Sequence, residues 1–193
     1  MNKIIKNNHK MIKLTTLIVL LLGISFSTSQ QQPTTTQESF KIDKPKVIKG
    51  FTINDDDYTV HFNLENTDTK KPVLVIAIEL HNGSQYISPF AKRAFKGKFY
   101  MDFGSYKDVT FNGNIIETPR SVEEIDAHPF VNGSVNWVRV NTTYKQSLKI
   151  LSQEDFEVFG RVRFTIEPRC TLEEIPFAIS FKNGVMKIFS PEC

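Results

Sequence analysis

The 193-residue chain has two cysteines, one tryptophan and nine glycines, and each scarcity excludes something. No cysteine precedes Cys170, so neither a lipid-modified N-terminal cysteine nor a Cys-x-x-Cys redox or zinc motif is possible. No Gly-x-Ser-x-Gly elbow, P-loop or dinucleotide fingerprint occurs. No block of five like charges occurs, and so there is no nucleic-acid footprint. The longest apolar run, Leu14 to Phe26, is too short to cross a bilayer, which takes about 20 residues. We expect no cofactor and no metal centre.

That apolar run follows a basic leader of Lys3, Lys6, Lys10 and Lys13, and small residues close it at Ser25, Ser27 and Ser29. A basic n-region, a short h-region and a small-residue cleavage site define a signal peptide. Residues 1–29 are therefore read as a removable leader, cut after Ser27 or Ser29, with Met11 as a second possible start. The alternative is an uncleaved N-terminal anchor. The precursor carries 24 basic and 21 acidic residues; removing the four leader lysines leaves 20 against 21. Residues 30–38 begin QQQPTTTQ, contain no apolar side chain and read as a flexible polar linker. Residues 39–193 are left to fold, enough for one core.

The periodicity of this region is that of strands. Tyr58, Val60, Phe62 and Leu64 alternate with polar residues. Val73 to Leu80 is a nearly unbroken apolar run, expected to be a central strand buried on both faces. Lys98–Phe103 and Val109–Phe111 read as short strands, with Asn112-Gly113 as a turn. Val135–Leu151 is a long alternation with a bend near Thr142 and Thr143. Phe156, Val158, Val162, Phe164 and Ile166 share one parity across Gly160, predicting one long strand with a close approach at the glycine. Phe177–Phe181, Asn183-Gly184 and Val185–Phe189 predict a hairpin with a type I′ turn. Two short helical turns are expected: Pro89–Gly97, capped by Ser88, and a single turn opened by the capping-box pattern Ser121-Val122-Glu123-Glu124. The expected fold class is an all-β, immunoglobulin-like antiparallel sandwich with one or two short helical turns.

Three stretches then resemble the N-terminal domain of the thiol:disulfide interchange protein DsbD. Gly83, Tyr86 and Ser88 match its Gly-aromatic-His-x-Tyr-Ser strand end, with Ser84 and Gln85 in place of the aromatic and the histidine. Gly113 to Glu117, followed by Thr118 and Pro119, resembles its Gly-x-apolar-x-Glu-Pro segment with one residue inserted. Tyr144–Leu148 through Val158–Phe164 resembles its late strands, leading to Cys170. The likeness runs from Val47 to Phe181. It implies a bacterial-envelope location, an immunoglobulin-like fold and a close cysteine pair that shuttles a disulfide with an envelope protein partner. Here Cys170 alone matches; Phe164, Ile175 and Pro176 stand where a second cysteine would be sought.

The candidate sites follow. Cys170 and Cys193, in an exported chain, are read as a structural disulfide adding about 3 kcal/mol. The alternative makes Cys170 a catalytic thiol, helped by Arg169 beside it and resolved by Cys193; a third reading gives neither cysteine a role. Asp55-Asp56-Asp57 is an acidic turn with the chemistry for a hard cation, or a solvated hairpin tip. Glu123, Glu124 and Asp126 are read as a solvated helical turn. His61, His81 and His128 lack metal-ligand spacing. Asn82, Asn132 and Asn141 head glycosylation sequons but are read as turns and strand ends. Phe90, Phe95, Phe99, Tyr100, Phe103, Tyr106 and Phe111 are read as core plus a cap, with a partner-binding patch as the alternative.

Overall fold

The computed structural model describes residues 50–69, 71–129 and 131–191; the leader and the linker lie outside them. The described residues form twelve strands and no helix: β1 (Phe51–Asn54), β2 (Tyr58–Glu65), β3 (Val73–Leu80), β4 (Tyr86–Ile87), β5 (Tyr100–Asp102), β6 (Val109–Thr118), β7 (Glu123–Asp126), β8 (Gly133–Val138), β9 (Thr142–Ile150), β10 (Phe156–Ile166), β11 (Thr171–Lys182) and β12 (Val185–Phe189). A five-stranded sheet runs β1-β2-β3-β9-β6, a four-stranded sheet runs β12-β11-β10-β5, and a small third sheet runs β4-β8-β7. All pairings are antiparallel. The immunoglobulin-like sandwich is as expected.

Period-2 alternation builds the interior. Tyr58, Val60, Phe62 and Leu64 are buried while their neighbours are not, because alternate side chains leave opposite faces of a strand. Across the sandwich Tyr58 meets Phe164 with ring centroids 5.2 Å apart, Phe62 meets Phe177 at 5.6 Å, and Phe103 meets Phe111 at 4.5 Å. β3 is central, between β2 and β9. Its outward side is only partly covered: Val75 is buried, but Val73 and Ala77 are half-exposed. The Lys145–Glu65 ion pair, at 2.8 Å, joins β9 to β2 across this strand.

β10 is one continuous strand, and Gly160 is where another backbone comes close. A Cβ at that position would lie 2.4 Å from the Phe177 ring and 2.8 Å from the Asp102 carbonyl oxygen. The β11–β12 turn is also as expected, with Asn183 and Gly184 both at positive φ, 51° and 76°.

Four expectations are corrected. Pro89–Gly97 forms turns rather than a helix: the Ser88 hydroxyl accepts from Phe90 N–H at 3.1 Å, but the chain is then held open by Phe99 N–H donating to the Ile87 carbonyl. Ser121–Glu124 leads into strand β7, whose Glu123 to Asp126 pair with Asn136 to Gly133; tertiary pairing overrides the capping-box signature. Asn112-Gly113 is not a hairpin turn but a break of register inside β6, between Asn112 and Ile116, which spends the positive φ of Gly113 on a bulge. The alternation from Val135 to Leu151 is cut at 139–141 into β8 and β9, which belong to different sheets.

Candidate functional site

Cys170 sits at the β10–β11 tip, exposed, with φ of 54°. Its thiol donates to Glu167 Oε2 at 3.0 Å. That bond, and then the Glu167 charge, raise the thiol pKa above its ordinary value. The neighbouring Arg169 does not offset this. Its guanidinium is taken by Asp55 Oδ1 at 2.8 Å, Asp57 Oδ2 at 3.0 Å and Glu173 Oε1 at 2.7 Å. The help expected from Arg169 for a Cys170 thiolate is therefore absent, and a nucleophilic thiol needs the opposite surroundings.

Cys193 lies outside the described residues. The last paired residue of β12 is Phe189, opposite Ala178 and eight residues along β11 from Cys170. We predict that intact-mass analysis of the oxidised, folded monomer shows two alkylatable thiols before any reductant is added. A monomer that takes up label only after reduction would overturn this.

The acidic turn Asp55–Asp57 is a hairpin tip, and the cation at it is Arg169. Asp55 is held below the usual carboxylate range, first by the Asp57 N–H it accepts and then by Arg169. The same end of the sandwich gathers three further loops. Asn82 Nδ2 donates to the Asp56 carbonyl at 2.9 Å and Ser84 Oγ to the Asp57 carbonyl at 2.6 Å. Gln85 and Glu167 exchange backbone bonds of 3.1 and 2.9 Å. Arg139 Nε donates to Gln85 Oε1 at 2.7 Å, and Asn141 Oδ1 accepts from Leu80 N–H at 3.0 Å. Four connections, 55–57, 81–85, 139–141 and 167–170, are thereby tied to one another. At the opposite end Asn183 N–H donates to Asp155 Oδ1 and Leu151 N–H to the Asp108 carbonyl, which tie those connections in pairs, and Thr69 N–H bonds locally to the Asn66 carbonyl. Sequence reasoning missed this clasp, since its partners lie from 26 to 114 residues apart.

The residues that carry the DsbD resemblance meet elsewhere, in the interior. Glu117 on β6 is 4% exposed. Its Oε1 accepts from Ser88 Oγ at 2.8 Å and Tyr144 Oη at 2.9 Å; its Oε2 accepts from the Ser121 N–H and hydroxyl, both at 2.9 Å. Tyr86 Oη donates to Tyr144 Oη at 3.0 Å. Burial, before any other cause, raises the pKa of both tyrosines, so they stay neutral donors. Tyr86, Ser88, Glu117 and Tyr144, which come from three separate motifs, thus form one satisfied network closed to solvent.

The remaining candidates disperse. Glu123 pairs with Lys92, Glu124 with Arg139, and Asp126 accepts from Trp137 Nε1 at 2.9 Å; they lie on a strand, not a helical turn. His61 bonds Thr52 and Glu79, and His81 bonds Thr59. Among the described residues no three His, Cys, Asp or Glu side chains gather as metal ligands. Asn82 and Asn132 occupy turns at φ of 54° and 39°. The aromatic group splits: Phe99 and Phe103 are core, Phe95 joins a small second core, and Tyr100 is half-exposed.

No protein-family model matches the chain, and no curated protein matches it. Among solved structures, it is similar to the N-terminal periplasmic domain of ScsB from Proteus mirabilis, with 12% identity and a TM-score of 0.45, over 67% of this chain and 50% of that one. It is also similar to the GAE domain of GGA2p from Saccharomyces cerevisiae, with 10% identity and a TM-score of 0.38, over 69% of this chain and 98% of that one. The chain thus spans half the length of the ScsB structure it matches.

Proposed function

We propose that this chain is an exported binding module of the bacterial envelope, periplasmic or secreted, which docks a partner protein through the four tied loops at one end of its sandwich. The observation that carries this reading is the set of cross-loop bonds around Arg169, Asp57, Asn82 and Gln85. Loops fixed before contact lose less freedom on binding, which is how a rigid scaffold gains affinity without extra area. The leader at residues 1–29 supports export.

Thiol–disulfide exchange through Cys170 is the second reading, favoured by the DsbD resemblance and by the exposure of the thiol. Against it stand the Glu167 contact and the engaged Arg169. In our reading Cys170 is spectator chemistry on the docking end, and the fold needs no bridge.

Site-specific photo-crosslinking in the native envelope tests the docking reading. A probe at Asn82 or Thr171, on the tied end, is expected to give one discrete adduct, whereas a probe at Asn183, on the other end, gives none. Equal adducts from both ends, or none from the tied end, would sink it. Cys170→Ser is expected to leave the Asn82 adduct unchanged; its loss would revive thiol exchange.

A further inference from the structure

The small sheet is built as a piece apart. Val131, Val135 and Trp137, with Ile87 and Phe95 against them, form a core separate from the main one. Among the described residues its main-chain ties to the sandwich are few: the Gln85–Glu167 exchange, the Phe99–Ile87 bond at 2.8 Å and the Thr165–Gly97 bond at 2.8 Å. Two buried side chains, Tyr86 and Val138, reach into the main core.

We propose that β4, β7, β8 and the 89–98 segment open from the sandwich as one unit, and that the Glu117 carboxylate is the latch that holds them shut. Glu117 and Tyr144 belong to the five-stranded sheet. Ser88 follows β4 and Ser121 precedes β7, so both arms of the small unit end on the same carboxylate. Ser121 and Ser88 also hold β8, through Asn136: Asn136 Nδ2 donates to the Ser121 carbonyl at 3.4 Å, and Ser88 N–H donates to the Asn136 carbonyl at 2.9 Å. Tyr86, the main apolar anchor, has its hydroxyl satisfied through Tyr144 and so through Glu117.

The four accepted bonds are the operative feature. A carboxylate is acceptor-only and meets four neutral donors with two oxygens. The isosteric Glu117→Gln replaces one acceptor oxygen by an NH2 donor that faces donors, and part of the network is left unsatisfied in the interior. The cost falls on the contacts between small sheet and sandwich, not on the sandwich itself. Elements with separate cores and few shared bonds are those that open below the global transition. Opening would expose Tyr86 and Val138, the side chains that reach into the main core. It does not depend on the docking reading, since the latch lies inside the molecule rather than on the tied loops.

Trp137 is the chain's one tryptophan and lies in the small sheet, so its emission reports that unit. Urea titrations of wild-type and Glu117→Gln protein are read by Trp137 emission and by far-UV circular dichroism, with no partner present. In the variant the Trp137 midpoint is expected about 1 M or more below that of the wild type, and clearly below the variant's own dichroism midpoint. Coincident transitions in the variant would show that the small sheet does not open alone. An unmoved Trp137 midpoint would show that Glu117 is not the latch. If Glu117→Gln does not fold, Ser121→Ala, which keeps the carboxylate and removes one donor, replaces it. Amide exchange of the wild type gives an independent reading: Ile125 and Val135 should exchange at least tenfold faster than Val60 and Ile76, and equal protection overturns the proposal.

Discussion

Glu117→Ala should lower the free energy of unfolding, followed at Trp137, by about 3–5 kcal/mol, against about 1–2 kcal/mol for Tyr144→Phe. The substitution removes the acceptor from the Ser88 hydroxyl, the Tyr144 hydroxyl and both donors of Ser121 in one step. Each buried donor left without a partner costs about 1–3 kcal/mol, and sharing a site makes the sum less than additive. The cavity left at a position 4% exposed adds to the loss. Tyr144→Phe keeps the ring that stacks on Phe99 at 4.0 Å and leaves one buried donor, the Tyr86 hydroxyl, without its acceptor, so its effect is smaller. Equilibrium urea unfolding of both variants checks the contrast. A Glu117→Ala protein within about 1 kcal/mol of the wild type would mean that the network is incidental.

Gly160→Val is the second large effect, expected at about 3 kcal/mol or more, with thermal unfolding lowered by roughly 10 °C. The clash does not come from the backbone angle but from three neighbours that converge on the missing side chain. The Phe177 ring lies 2.4 Å from where a Cβ would stand, and the Asp102 carbonyl and the Phe103 ring lie 2.8 Å from it. The carbonyl belongs to β5, which pairs with β10 at Arg161, so it cannot withdraw without losing that edge strand. Phe103 is also packed on Phe111 and Phe177. Gly160→Ala should show the same direction at a smaller size. Thermal unfolding unchanged by Gly160→Val would mean that β5 is not held in the described position.

Much of the strand pattern was legible in the chain. Tyr58 to Leu64, Phe156 to Ile166 and the hairpin around Asn183-Gly184 were readable because period 2 and turn chemistry act over a few residues. The two helical turns were misread for the converse reason. Ser88 and Ser121 carry cap-like side chains, yet one hydroxyl and one N–H–hydroxyl pair go to Glu117, on a strand that local sequence does not connect to either.

The candidate sites were less legible than the fold. Arg169 beside Cys170 reads as an aid to a thiolate until Asp55 and Asp57, more than a hundred positions away, are found on its guanidinium. The motif residues Tyr86, Ser88, Glu117 and Tyr144 could be picked out in order, but their order does not say whether they line a cleft or fill an interior.

The sequence by itself determined the alternation of faces and turns such as Asn183-Gly184, because backbone sterics and side-chain direction are local. Only the tertiary structure decided which polar groups are buried, which cation meets which acid and which carboxylate meets the Cys170 thiol. Those outcomes depend on partners brought together by sheet pairing, and no spacing along the chain encodes the partner that folding supplies.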